Sequence, residues 1–246
     1  MSNNNPPMYG NLVPINTQAH RTLRLKTELN VLERTAKLNS MFLAVLEFAD
    51  ACKDYPIVFV RTGDPAKTDG KLVVAPLVVL GLKPDTNTFI KGDKWDASYV
   101  PAYVRRFPFM MARIDQAQNM AMCFDASWEG FSVTDGTPLF DADGQPAEFL
   151  KNAKEFVENY ELEVERTRAA CDELVALNLL QEMRFEATTP SGEKLNVDGF
   201  LAVDEKKLAE LDDATVVKLH RNGLLALLEM HRLSLRNMGR LVGRHA

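Results

Sequence analysis

The stretch AEFLKNAKEFVENYELEVERTRAACDELVALNLL, residues 147–180, separates two parts of the chain with different sequence character. Apolar side chains recur in it every three or four residues, which predicts one long amphipathic helix with a single buried stripe. The stripe consists of Phe149, Ala153, Phe156, Tyr160, Val164, Thr167, Cys171 and Leu174. The opposite side carries charged residues and is expected to face water.

The sequence before this helix is rich in strand signals over residues 55–135. PIVFV (56–60), LVVAPLVVLGL (72–82) and TNTFI (86–90) are short apolar segments separated by Gly, Pro and Asp turns. Pro76 cannot donate to a ladder, so it predicts a sheet edge, a bulge or a break. FMMARID and NMAMCFD, joined by QAQ, predict a hairpin. One helix is predicted earlier, over residues 31–50, from its apolar spacing.

The sequence after the long helix predicts a β-hairpin and then helices. RFEATTPSGEKLNVDGFLAVD (184–204) carries the turn signal PSGEK between two strand-like halves. A short helix and a longer final helix follow, with Asp204 and either Asp212 or Asp213 as N-caps. The fold class is therefore α+β, with residues 147–246 mainly helical. Residues 1–16 are predicted to be a flexible lead or an extended strap, and residues 17–246 a single domain.

Charge and composition limit the classes of function. The 246 residues carry a formal net charge of −5, which opposes general nucleic-acid binding. Residues 217–246 hold one Lys and five Arg against one Glu, a balance of +5, so the remainder sums to −10. Three cysteines far apart predict free thiols in a reducing compartment. With no secretory signal pattern and no apolar run of about 20 residues, a cytoplasmic location is expected.

No motif for a metal, a cofactor or a nucleophile is complete in this sequence. The aspartates of LFDADGQP (139–146) lack two ligands of a calcium loop and predict a tight turn instead. His220 and His231 are eleven residues apart, about 16 Å along one helix, which is too far for one ion. Neither a Gly-rich phosphate loop nor a nucleophile elbow is present. The sequence therefore predicts no metal site and no cofactor.

The stretch YVPAYVRRFPF, residues 99–109, is the strongest candidate for a contact surface. This combination of aromatic rings and two arginines is typical of a ligand-binding segment. It is equally typical of an ordinary turn with its rings in the core and its charges in water. Spacing predicts a short helix in which Tyr103 and Phe107 pack inward while Arg105 faces out. The residues proposed for binding are Trp95, Tyr99, Tyr103, Arg105, Arg106, Phe107, Asp125, Trp128 and Glu129.

Several segments in this order resemble the SapC family of bacterial proteins. They include EFADACKDYPIVFV (47–60), YVPAYVRRFPF, CFDASWEG (123–130), LNVDGFLAVDEKKLAELDD (195–213) and LHRNGLLALLEMHRLSL (219–235). The resemblance implies a link to a bacterial surface-layer locus and, through gene neighbourhoods, to outer-membrane receptors, cupin-like proteins and flavin-dependent halogenases. It carries no established catalytic residues. A permease label sometimes attached to the family does not suit a sequence without a membrane span.

Three functional hypotheses follow from these observations. The first is a soluble binding or accessory protein of surface-layer or envelope-associated uptake systems, with a protein partner or small ligand. The second is an enzyme that acts beside a flavin-dependent halogenase or a cupin-like partner on an aromatic or peptide substrate. In it Arg105 or Arg106 would hold a carboxylate or phosphate, and Asp125 or Glu129 would serve as acid or base. The third, a nucleic-acid binder, is opposed by the acidic bulk of the chain. The apolar final helix is covered either by the chain's own core or by a second copy.

Overall fold

The computed structural model describes residues 5–26, 31–63, 70–114 and 119–245. The chain forms two compact units: the first is Met1–Thr35 with Val104–Leu162, and the second is Ala36–Tyr103 with Glu163–Ala246. The described strands, in chain order, are β1 (Leu12–Pro14), β2 (Arg24–Leu25), β3 (Ser40–Phe42), β4 (Ile57–Arg61), β5 (Val74–Val79), β6 (Ile90–Lys91), β7 (Lys94–Trp95), β8 (Phe109–Arg113), β9 (Met120–Asp125), β10 (Phe131–Ser132), β11 (Thr137–Pro138), β12 (Leu180–Thr188) and β13 (Lys194–Val203). The described α-helices are α1 (Phe48–Ala51), α2 (Ala102–Arg105), α3 (Glu148–Ala176), α4 (Glu205–Ala209), α5 (Asp213–Arg221), α6 (Leu224–Ser234) and α7 (Asn237–Arg244).

The second unit is built on a five-stranded antiparallel sheet with the order β12-β13-β4-β5-β3. Strand β4 is a run of β-branched and aromatic residues, and Ile57, Val58 and Phe59 are all buried. This composition favours a pleated strand that is covered on both faces. The hairpin β12–β13 extends the sheet, as the PSGEK turn predicts.

Of the three alternatives predicted for Pro76, the bulge and the break are wrong, because strand β5 continues through this residue in regular pairing with β4, and Pro76 lies at the edge where the pairing with β3 ends. Phe59 pairs with Pro76 on one side, and on the other side the pairing of β3 ends at Leu77. The Pro76 carbonyl accepts a hydrogen bond from the Leu43 N–H at 3.1 Å. Since N–H and C=O of one strand residue point to the same side, the missing donor of Pro76 faces the point where β3 ends.

The C-terminal helices are fixed to this sheet by buried polar side chains of α6 and α7. His231 Nε2 accepts from the Val203 N–H at 3.1 Å, and Ser234 Oγ accepts from the Ile57 N–H at 2.9 Å. Asn237 donates its amide to the carbonyls of Cys52 and Tyr55, at 2.9 and 3.1 Å. These bonds satisfy backbone groups that lie beyond the ladder ends and would otherwise be buried without partners.

The longer final helix that the sequence predicts is divided. Gly223, with φ of 83°, is the N-cap of α6 in the left-handed region, so α5 ends before it. His220 and His231 consequently lie on different helices, the first exposed and the second buried. The expected N-caps Asp204 and Asp212 are confirmed, since both side chains accept backbone N–H bonds at their helix starts.

The first unit contains a three-stranded sheet with the order β1-β9-β8 and a small sheet with the order β10-β2-β11. The hairpin of β8 and β9 is confirmed, with Phe109 opposite Phe124. The predicted QAQ turn lies at 116–118, outside the described residues. Residues 12–14 pair with β9 as an edge strand. Of the two alternatives predicted for the N-terminal segment, this part therefore matches the extended strap.

The helix predicted over residues 31–50 is wrong. In its place are two 3-10 segments, Val31–Thr35 and Val45–Glu47, with strand β3 between them and the single turn α1 after them. Strand β3 forms because Ser40–Phe42 pairs with β5, and a tertiary ladder overrides local apolar spacing. The long helix is confirmed as α3, and the α+β class is confirmed by antiparallel sheets and several helices. The division of the chain into two compact units does not test whether residues 17–246 form a single domain, which stays a prediction.

Candidate functional site

The stretch from Arg105 to Phe109 connects α2 to β8 in the first unit. Phe107 is buried and Arg105 is exposed, as the spacing predicts, and Tyr103 at the preceding turn of α2 is buried as well. The Phe107 N–H donates to the Val104 carbonyl at 3.1 Å, and the Phe109 N–H donates to the Arg106 carbonyl at 2.8 Å. These bonds form a tight turn. Of its two arginines, Arg105 is exposed and Arg106 is buried.

Arg106 is a buried cation held between two aromatic rings. Only 6% of its surface is exposed. Its guanidinium carbon lies 4.5 Å from the Tyr160 ring centroid and 5.6 Å from that of Tyr9, and its Nη1 lies 3.9 Å from Glu161 Oε1. Ring faces and a carboxylate offset the cost of removing a guanidinium from water.

A pocket of about 320 Å³ lies beside this turn in the first unit. Its described lining comprises Leu25, Lys26, Val31, Arg105, Arg106, Phe107, Pro108, Phe109, Trp128, Phe149, Asn152, Ala153 and Phe156. Five of these residues are aromatic and three are cationic, and no Asp or Glu is among the described residues of the lining. The pocket therefore offers apolar walls and positive charge.

One wall of the pocket belongs to α3. Phe149, Asn152, Ala153 and Phe156 follow the i, i+3, i+4, i+7 spacing of one helix face. Phe149 and Phe156 are only half-buried, and the Arg105 guanidinium lies 5.2 Å from the Phe156 centroid. Sequence reasoning placed this stripe in the core and missed its role as a pocket wall, although the periodic signal was present.

Trp128 forms another part of the pocket and is 93% buried, with 7% of its surface exposed. Its ring meets Phe107 and Phe131 edge to face, with centroids 5.3 and 5.8 Å apart. Such contacts contribute about 0.5–1.5 kcal/mol per pair. A Cβ at Gly130 would lie 2.2 Å from this ring, so any other residue at this position would clash with the ring where it now lies.

Asp125 and Glu129 do not line the pocket. The carboxylate of Asp125 is fully buried and accepts the N–H groups of Gly10, Asn11 and Ser127 and the Ser127 hydroxyl, at 2.6–3.0 Å. Burial alone raises the pKa of Asp125, but these hydrogen bonds outweigh burial and leave the pKa below its ordinary value. Asp125 thus holds the N-terminal strap, and Glu129 is exposed.

Trp95 and Tyr99 belong to the second unit, in a cluster around Tyr55. The Tyr55 hydroxyl accepts from Trp95 Nε1 at 2.6 Å and donates to the Tyr99 carbonyl. The Tyr99 hydroxyl donates to Glu47, which also accepts the Ala102 N–H at the start of α2, at 2.8 and 2.7 Å. Sequence reasoning missed Tyr55 and Glu47, because nothing local marks a residue whose partners are 40 and 52 positions away.

In the described part of the chain, the acidic side chains and the buried cysteines form neither a metal site nor an activated thiol. No set of three or more His, Cys, Asp or Glu side chains among the described residues could hold a metal ion. Burial raises the pKa of Cys123, and it raises that of Cys171 to about 12, so these thiols are protonated at neutral pH.

The family of the chain is decided by one comparison. The model of the SapC family matches residues 15–241, nearly the whole length. The chain belongs to the SapC family. No curated protein and no solved structure matched it. The SapC match includes every residue that lines the pocket, while Tyr9 on the strap precedes it. Among the described residues of this SapC chain, no helix has the length and apolarity to cross a membrane.

Proposed function

We propose that this SapC-family chain is a binding or accessory protein, and that the pocket beside Arg105–Phe109 is its ligand site. The observation that carries the proposal is the composition of the pocket lining: five aromatic and three cationic residues, with no carboxylate among the described ones. A site with apolar walls and few polar groups is typical of small-molecule recognition. Its volume of about 320 Å³ is at the small end of the range for such sites.

The binding role is favoured over catalysis by where the acidic groups lie. An enzyme built on the arginines needs an acid or base that reaches the same pocket. Asp125 is committed to four hydrogen bonds with the strap and Ser127, and Glu129 is absent from the lining. The aromatic and arginine side chains therefore converge in a pocket without the acid–base pair that the sequence offered.

The wider setting of this proposal comes from the family resemblance alone. We propose that the ligand or a protein partner belongs to a surface-layer or envelope-associated uptake system of the source bacterium. A tagged chain that recovers no surface, receptor or halogenase-locus protein from native lysate would count against this setting.

The experiment for the pocket is native mass spectrometry of the chain purified from its native host. We expect a small molecule to be retained by the wild-type chain and lost in Ala153→Phe, because the new ring fills the pocket. Ala169→Phe is the matched control, since Ala169 lies on the same helix and is exposed. A wild-type chain without a retained molecule, or equal retention in Ala153→Phe, would overturn the proposal.

A further inference from the structure

We infer that the pocket binds small apolar monocarboxylates with an aromatic ring, and that Arg105 holds the carboxylate. This inference rests on the proposed function and specifies its ligand class. The lining has two kinds of surface, aromatic walls and cationic side chains.

The walls determine the body of the ligand. Phe149 and Phe156 are half-buried on α3, and Trp128 and Phe107 are buried residues of the same lining. Flat ring surfaces at about this volume accept a ligand of one or two fused rings, which can stack or meet the walls edge to face. A sugar or a peptide backbone would leave its polar groups against these rings without partners.

The charge of the lining determines the head group. Lys26, Arg105 and Arg106 are cationic, and no carboxylate is among the described residues of the lining. From outside the lining, Asp135 lies 3.5 Å from Lys26 and Glu161 lies 3.9 Å from Arg106, so two of the three positive charges are partly balanced. The planar fork of a guanidinium matches the two oxygens of a carboxylate. A phosphate would need donors for three oxygens, and beyond the three cations the described side chains of the lining add only the neutral N–H groups of Asn152 and Trp128.

The environments of the two arginines determine which one binds. Arg106 is buried between the rings of Tyr9 and Tyr160, with Glu161 at 3.9 Å. Moving the Arg106 guanidinium toward a ligand would break its contacts with these two rings and with Glu161. Arg105 is exposed, and its guanidinium lies over Phe156, a wall of the pocket. From this exposed position beside the wall, the guanidinium can turn toward a carboxylate in the pocket.

The test uses 2-naphthoate, its neutral amide 2-naphthamide and inorganic phosphate, titrated calorimetrically into the full chain. We expect 2-naphthoate to bind at least tenfold more tightly than 2-naphthamide, and phosphate to bind more weakly than either. In Arg105→Ala the ratio of acid to amide affinity should fall to about one, because a charge-assisted bond is lost. Arg105→Lys should retain part of the ratio, since a lysine keeps the charge without the fork.

Arg113→Ala is the matched control, because Arg113 is an exposed arginine of the first unit outside the pocket lining. An unchanged acid-to-amide ratio in Arg105→Ala, or phosphate binding as tight as 2-naphthoate, would overturn the inference. If the amide binds as well as the acid and Ala153→Phe abolishes both, the proposed binding site stands and only the ligand class fails. If neither compound binds and no molecule is retained from the native host, both proposals fail.

Discussion

The guanidinium of Arg106 faces the ring of Tyr160, with 4.5 Å between the guanidinium carbon and the ring centroid. Both residues are buried, so the contact lies away from water. A desolvated cation on a ring face contributes about 2 kcal/mol. The pair connects the turn before β8 to helix α3, and Arg106 is also part of the pocket lining.

We expect Tyr160→Leu to lower the free energy of unfolding by about 1–2 kcal/mol more than Tyr160→Phe does. Phenylalanine keeps the ring face that Arg106 uses, whereas leucine removes it and leaves the cation with less compensation. Urea denaturation of both variants measures the difference. Equal losses would show that the ring contributes only its apolar area.

We expect Asp125→Asn to destabilise the chain by about 2–4 kcal/mol at neutral pH, because its amide cannot accept all the donors that meet the carboxylate. Since the folded pKa of Asp125 is lowered, its contribution is complete above the ordinary value of 3.8 and is lost as the pH falls below it. The variant should lack this loss. Asp135→Asn is the control, an exposed carboxylate 3.5 Å from Lys26 Nζ. Denaturation curves across acidic pH compare the two, and an Asp125→Asn chain as stable as the control would contradict the assignment.

Much of the fold could be read from local sequence signals. Periodicity located α3, and the turn residues of PSGEK located the β12–β13 hairpin. Side-chain caps located the starts of α4 and α5. These features depend on interactions within a few residues, which one sequence displays. The strand β3 could not be found in this way, because it exists through its pairing with β5 across the sheet.

The candidate site could be predicted only in part for the same reason. Arg105, Arg106, Phe107 and Trp128 were selected and do line one pocket. Trp95 and Tyr99 were selected with them, yet they lie in the second unit around Tyr55. An aromatic residue in a sequence is expected to be buried or to contact a ligand or another protein, but only the fold determines which aromatic residues share a cavity.

The pH dependence of stability should carry the signature of His231. Burial lowers the pKa of His231 to about 4 from an ordinary 6.5. Between pH 6.5 and about 4, His231 is therefore protonated in the unfolded chain and neutral in the folded chain. The contribution of His231 to the free energy of unfolding is full above pH 6.5 and decreases as the pH falls toward 4. The expected loss is about 3 kcal/mol, at about 1.4 kcal/mol per pH unit. Guanidinium denaturation at several pH values measures it.

The matched variants for this prediction are His231→Gln and His245→Gln. Burial also lowers the pKa of His245, so both histidines act in the same direction, and single substitutions separate them. His231→Gln should remove most of the slope in this range and cost stability at neutral pH, because the Val203 N–H depends on Nε2. A slope unchanged by His231→Gln would contradict the assignment.

Gly130→Ala should displace the Trp128 ring, since the added Cβ would lie 2.2 Å from it. We expect a loss of about 1–3 kcal/mol in unfolding free energy from overpacking. In a Trp95→Phe background, Trp128 is the remaining tryptophan of the two, and its emission should shift to the red. Gly239→Ala in α7 is the control, because nothing lies within 4 Å of the added methyl group. It should leave the emission unchanged and raise stability by up to about 1 kcal/mol.

Tyr55→Phe removes the hydroxyl that joins Trp95 to Tyr99, and we expect it to cost about 1–3 kcal/mol. The indole N–H of Trp95 and the Tyr99 carbonyl then each lose the hydrogen bond to this hydroxyl, in a half-buried site. A double-mutant cycle with Trp95→Phe isolates the bond between the two side chains. The double variant should be less destabilised than the sum of the single ones, because it leaves no indole donor to be satisfied. Additive losses in urea denaturation would show that the bond from Trp95 to Tyr55 does not contribute to stability.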